Sequence, residues 1–202
     1  MQSNSMQCNS MMKAMLAGVL CVSLMATGCT AQWISVALAD LPVLTQMALN
    51  IATVVVALRT GQQISAADAA AVQNISNQAS TDLNLLQSLY NQYKASPDAG
   101  TLQKIESTVA GINQNLPALL ASVHISDPVE AARIAAGVDL ILTTVQSFAA
   151  LLPTTLKSAQ RVAGQKLAIP NASDLKKQWN REVCAPTGVA GFDAALAGCV
   201  LR

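Results

Sequence analysis

The sequence predicts an all-α protein: an antiparallel up-down bundle of about four long helices, followed by a short C-terminal helical segment stapled by a disulfide. Three observations predict it. Apolar residues recur at alternating spacings of three and four, one stripe per 3.6-residue helix, along several long stretches. Short turn-forming sequences (TGQQ, ASPD, HISD) separate those stretches, and short connections force neighbouring helices to run antiparallel. No competing stretch alternates with the period of two that a half-buried strand needs.

The first stretch, Leu41 to Leu58, is apolar, with Met47, Ile51, Val54 and Leu58 on one side. Asp40 and Arg59 bound it and Gly61 breaks the chain beyond it. Its length invites a membrane-spanning reading, but Pro42, Gln46 and Asn50 interrupt it. In the second stretch Ser65 is the expected N-cap of a helix running to about Lys94. Val72, Ile75, Ala79, Leu86, Leu89 and Tyr93 form its stripe, with Leu83 and Tyr90 widening it and Asp82 intruding. Gln73, Asn74, Asn77, Gln78, Ser80 and Asn84 are expected to face outward.

The third stretch, Asp98 to Val123, carries Leu102, Ile105, Val109, Ile112, Leu116, Leu119 and Val123 on one stripe, and Pro117 should kink or restart it. The fourth opens on SDPVE: Asp127 as N-cap, Pro128 at the first helical position, and Glu130 three residues after the cap as its reciprocal partner. Ile134, Val138, Ile141, Val145, Phe148 and Leu152 continue it to Pro153. Beyond that, Leu156 to Val162 can extend another helix. Ser173 is the expected cap of DLKKQWNREV, where Leu175, Trp179 and Val183 share a face. VAGFDAALAGCVL ends the chain as a last helical turn.

Composition narrows the function. Hydrophobic residues make up 52%, aromatics 3% and charged residues 11%, so the core must be aliphatic and the surface mostly amide and hydroxyl. A net charge of +1 offers no field for nucleic acid. The charge is uneven. Residues 29–156 hold eight acids and four bases, whereas residues 157–202 hold seven bases and three acids.

The N-terminus reads as a leader. Lys13 precedes an uncharged run from Ala14 to Gly28, about 22 Å as a helix, too short for a bilayer core of ~30 Å. A positive flank, a short apolar run and then small residues form a secretory pattern. Its end, Ala26-Thr27-Gly28-Cys29, resembles the lipobox of bacterial lipoprotein signals, although Ala26 stands where leucine is commoner. The resemblance covers Met11 to Cys29 only. It implies cleavage before Cys29, a diacylglycerol on its sulfur, palmitate in the mature protein, and translation starting at Met11 or Met12. Thr30, rather than an acid, after the anchor implies outer-membrane sorting towards the periplasm. A plain secretory signal cut after Ala31, with Cys29 lost, is the alternative. The domains expected are thus a signal peptide (1–28), a helical bundle (29–156) and a basic C-terminal extension (157–202).

Removing the leader takes Cys8 and Cys21 and acylation occupies Cys29, which leaves Cys184 and Cys199, an even pair in an oxidising compartment and an expected disulfide. Catalytic chemistry is hard to assemble from the rest. His124 is the only histidine, no Glu-x-x-His serves a di-metal bundle, and no G-x-S-x-G or phosphate-binding loop stands in a suitable context. No catalytic residue, metal site or cofactor is assigned. The sharpest contact candidate is Lys176, Lys177 and Arg181 with Trp179, set to meet anionic lipid or cell-wall polymer. The same residues fit a helix whose Trp179 docks on the bundle. The expected function is a non-catalytic, lipid-anchored envelope module for structure or interaction, its partners a membrane and an envelope protein or wall polymer. The alternatives are a helical binding module for an apolar molecule or lipid, and a secreted helical protein.

Overall fold

The computed structural model describes residues 34–59, 64–125, 127–152 and 171–202. The expected leader, Cys29 and the expected Leu156 to Val162 extension lie outside these residues. Six α-helices occur among them: α1 (Ile34–Arg59), α2 (Ala66–Ala95), α3 (Ala99–Ala121), α4 (Pro128–Ala149), α5 (Ala172–Glu182) and α6 (Ala190–Leu196). A 3-10 turn, Ala197–Cys199, ends the last of them. No strand occurs among the described residues. The fold is the antiparallel up-down bundle expected, with the C-terminal helices added to it and closed by a disulfide.

The caps explain where the helices start. The Ser65 side chain accepts from Asp68 N–H and the Asp98 side chain from Thr101 N–H. The Asp127 carboxylate accepts from the N–H groups of Val129 and Glu130, with Pro128 filling the first helical position, where no donor is needed. Asp68 does a second task. Its carboxylate also accepts the backbone N–H of His124, 3.0 Å away, and so pins the end of α3 to the start of α2. These hydrogen bonds, led by Ser65, hold the Asp68 carboxyl below the usual carboxylate range.

The stripes read from the sequence form one aliphatic core. Val72, Ile75, Ala79, Leu83, Leu86 and Tyr90 of α2 are buried with Leu102, Ile105, Val109, Ile112 and Leu116 of α3 and Ile134, Val138, Ile141, Val145 and Phe148 of α4. Asp82 sits half-buried beside its stripe and accepts from the Gln78 amide at 2.9 and 3.0 Å.

Three expectations are corrected, and one of two alternatives at Pro117 is removed. Ser80 is buried, not outward; its hydroxyl turns back to the Asn77 carbonyl, which leaves a small side chain that packs. Helix α3 runs through Pro117 without restarting, at an exposed position where water can serve the carbonyl that proline cannot. Glu130 does not reach back to the cap. It is buried and pairs with Arg133. Asn171, not Ser173, caps α5, its side-chain oxygen 3.0 Å from Asp174 N.

Helix α1 differs from its neighbours. It starts earlier than expected, so Asp40 is not its boundary but lies inside its second turn, buried. It is long and apolar enough to cross a membrane, yet Leu41, Leu44, Met47, Ala48, Ile51, Val54, Val55, Ala57 and Leu58 are buried within the bundle. Only a narrow stripe is exposed: Ser35, Ala39, Pro42, Gln46, Leu49, Val56 and Arg59.

Candidate functional site

Among the described residues, polar groups converge where the C-terminal helices meet the bundle. Leu175 and Trp179 of α5 and Val183, its C-cap, recur at intervals of four and are all buried. Trp179 lies against Gly137 of α4, where a Cβ would stand 3.1 Å from the indole Cζ3 and 3.4 Å from Val183 Cγ2. Glycine at that position opens the notch that lets α5 settle. The indole N–H donates to the Cys199 carbonyl at 3.0 Å, and the Asn50 amide of α1 donates to the same oxygen at 2.8 Å. One carbonyl of the final turn is thereby held by two helices.

Further bonds run along the same seam. Asn180 donates to the Leu201 carbonyl and accepts from Leu201 N–H, each at 2.8 Å, a two-way clasp on an extended strand of chain. Arg133 of α4 donates through Nη1 to the carbonyls of Val183, at 2.6 Å, and Ala185, at 2.9 Å. Its Nε donates to Glu130 Oε2 at 3.0 Å. Burial pushes the Glu130 carboxyl above its usual range, and the Arg133 guanidinium only partly offsets this. Arginine suits the position, since a planar fork of donors can serve a carboxylate and two carbonyls together. The Cys184–Cys199 disulfide closes the segment covalently, with its Cα atoms 5.8 Å apart. Between the two cysteines, Asp193 accepts from Thr187 N–H, Thr187 Oγ1 and Gly188 N–H, and Gly188 takes a φ of +86°, which favours glycine.

Asp40 marks the other end of α5. The backbone N–H of Ala172 donates to its carboxylate, while Oδ2 has no hydrogen-bond partner among the described residues. Burial pushes the carboxyl up to about 6. A charge at the start of a helix is favourably placed, but removal from water outweighs that here.

The surface-contact candidates are split by this geometry. Trp179 is fully buried and cannot offer its ring to a wall polymer or lipid headgroup; the docked alternative is the arrangement present. Lys176 is half-buried and donates to the Arg202 carbonyl at 2.6 Å. Lys177 and Arg181 are exposed and pair with Asp174, at 3.5 Å, and Glu182, at 2.9 Å. The lysines and arginine therefore make separate local contacts, not one patch around the tryptophan.

Sequence reasoning passed over Arg133, Asn50, Asn180 and Gly137. A signal existed only for Arg133: Glu130 and Arg133 stand three apart on one helix, the spacing of a side-chain pair. The other three act through residues more than twenty positions away, or through the absence of a side chain.

Two surface hollows flank the packed helices. One, about 310 Å³, is lined by Val129, Ala132, Arg133, Ala136 and Glu182 between α4 and α5. The other, about 370 Å³, is lined by Gln78, Asn115, Ala118, Leu119 and Ser122 between α2 and α3. Both are open to solvent. Among the described residues no three His, Cys, Asp or Glu side chains gather as a metal site would require. His124 is exposed beyond the end of α3, and Asp139 is exposed on α4. No family model, no curated protein and no solved structure matches the chain.

Proposed function

We propose that this protein is a lipid-anchored, non-catalytic helical module of a bacterial cell envelope that works by contact. The observation that carries the reading is the Cys184–Cys199 disulfide at the centre of the C-terminal seam, with Cys199 fully buried. Disulfides in such structural positions persist in oxidising compartments, and a leader ending in Ala26-Thr27-Gly28-Cys29 would deliver the chain to one. The polar side chains support the same reading. Ser65, Asp98, Asp127 and Asn171 cap helices, and Arg133, Asn50 and Asn180 lock the seam, so these hydrogen-bonding groups serve the fold.

The contact surface of this module lies on helix faces rich in amides. Gln73, Asn74, Asn77, Gln78 and Asn84 on α2 are exposed or half-buried, as are Asn113, Gln114 and Asn115 on α3. The hollow edged by Gln78 and Asn115 sits between these faces. An open, amide-edged depression suits a protein or polymer segment better than an enclosed apolar molecule, which wants most of its surface covered.

The test is acylation. Cells given labelled palmitate should incorporate it into the wild-type chain and lose it in Cys29→Ala, and the intact mass of the mature wild type should begin at Cys29 and carry acyl chains. A mature chain beginning at Gln32 would end the lipid-anchor reading and leave a secreted helical protein.

A further inference from the structure

The exposed stripe of α1 is poorer in amides than that of α2 and poorer in charge than that of α3, and it lacks the acid found on α4. It runs through Ser35, Ala39, Pro42, Gln46, Leu49, Val56 and Arg59 and contains no acid; its one charge comes at the last residue of the helix. The exposed residues of α2 include Asn74, Asn77, Asn84 and Lys94, those of α3 include Lys104 and Glu106, and those of α4 include Asp139. Leu49 is 46% exposed and Val56 61%, two of the six large apolar side chains so exposed among the described residues. Between them Thr53 is half-buried, with Gly198 of the final turn close to its methyl group, and Val200, 45% exposed, follows two residues later. The stripe therefore belongs to a slightly broader apolar surface that the C-terminal segment borders.

The distance from the proposed anchor is short. Five residue steps separate Cys29 from Ile34, and even fully extended they reach no more than about 18 Å. An anchor in the bilayer thus keeps the start of α1 close to the headgroups. We infer that α1 rests on the bilayer surface through this stripe, with Pro42, Leu49 and Val56 against the headgroup–acyl boundary. The inference depends on acylation at Cys29. A lying bundle gains burial of Leu49 and Val56 at no cost of desolvating a carboxylate, which an upright bundle gives up. Arg59 at the far end of the stripe suits a phosphate-rich surface, since its stem can lie along the apolar layer while its head stays among the headgroups.

The two poses are separable by experiment. In an upright bundle Leu49 would stand about 22 Å beyond Ile34, fifteen residues along the helix axis. The full-length acylated protein carrying Leu49→Cys is spin-labelled and reconstituted on vesicles of phosphatidylethanolamine and phosphatidylglycerol. A second preparation carries Asn84→Cys on the exposed face of α2. The expected result is that the label at 49 loses access to a water-soluble nickel reagent and gains access to oxygen on vesicles, while the label at 84 keeps its nickel access. Labels equally open to nickel at both positions, on protein that mass analysis shows to be acylated and vesicle-bound, would overturn the lying pose and leave the anchor intact. Broadening of the 49 label by a second label nearby, growing with protein-to-lipid ratio, would assign the stripe to a second copy of the chain and overturn the pose too. A chain without acyl groups would remove the anchor and the pose together.

Discussion

The four long helices and the C-terminal segment are held by different kinds of force. Helices α2, α3 and α4 have 22 to 30 residues each, enough for aliphatic stripes that bury a shared core. The packing is non-directional and spread over many side chains, so no single contact decides it. Helices α5 and α6 have 11 and 7 residues and bury few side chains each. Helices that short are marginal alone. There the chain relies on one large aromatic, on donors aimed at particular carbonyls and on a covalent link. The comparison teaches that a short appendage can be fixed to an aliphatic bundle by directed bonds, and that its stability then rests on a few identifiable atoms.

The largest break should come at Trp179. Trp179→Ala removes the ring that fills the Gly137 notch and the donor to the Cys199 carbonyl. A cost of about 3–5 kcal/mol is expected, read as a shifted denaturation midpoint. An equally large substitution in the bundle, such as Phe148→Ala, should cost a similar amount but melt the whole chain, whereas Trp179→Ala should first expose α5 and α6 to hydrogen exchange. Simultaneous loss of protection in both regions would mean that the two are one cooperative unit and that the contrast is only of bonding type.

Arg133 comes next. Arg133→Met keeps the stem but leaves the buried Glu130 carboxylate unpaired and the carbonyls of Val183 and Ala185 unserved. Breaking a buried pair from one side costs about 3–5 kcal/mol. Adding Glu130→Gln should restore part of that loss, because the cost lies in the stranded charge. A double variant as unstable as the single would place the energy in the two carbonyl bonds instead.

Cutting the covalent link sharpens the comparison further. Cys184→Ser with Cys199→Ser opens a 15-residue closure, worth on the order of 3 kcal/mol in the chain-entropy account. The directed bonds from Asn50, Trp179 and Asn180 remain in this variant. The expected outcome is a folded bundle with a lower melting temperature and faster exchange confined to the last two helices. Wild-type stability under reducing conditions equal to that under oxidising ones would show the bond to be redundant.

The same division decides what could be read from the sequence. Helical stripes were legible because burial by packing leaves a period, and Ile105, Ile112 and Val138 need only be apolar and correctly spaced to do their work. The Cys184–Cys199 pair was legible because these are the only two cysteines after Cys29 in the sequence. The seam was not. Asn50 and Asn180 act on Cys199 and Leu201, and nothing local in either amide indicates a partner so far along the chain. Gly137 acts by lacking a side chain. Ser80 misled because a hydroxyl bonded within its own helix packs like a small apolar group. Asp40 misled most: a charge beside an apolar run reads as its boundary, and only the fold shows α5 covering it.

Asp40 therefore tests a point where the two regions meet under tension, with the smallest effect of the four. Its carboxyl titrates near 6 in the folded chain, above the ordinary 3.8, because burial disfavours the charge more than the Ala172 N–H favours it. A raised folded value means that the ionised form destabilises the fold. That penalty is fully present above pH 6, falls away as pH drops towards 3.8, and is absent below, where the group is protonated whether folded or not. Asp40→Asn keeps the shape and an acceptor for Ala172 but never carries the charge. It should raise stability by about 1 kcal/mol at pH 8, or roughly 2–4 °C in melting temperature for a chain this long. At pH 4 its advantage should vanish or turn slightly negative, since the neutral carboxyl of the wild type then fits as well. Melting curves of the two proteins at pH 4, 6 and 8 give the comparison directly. A gap that stays constant with pH would show that folding leaves the Asp40 carboxyl at its ordinary value, so that burial under the start of α5 does not disfavour its charge.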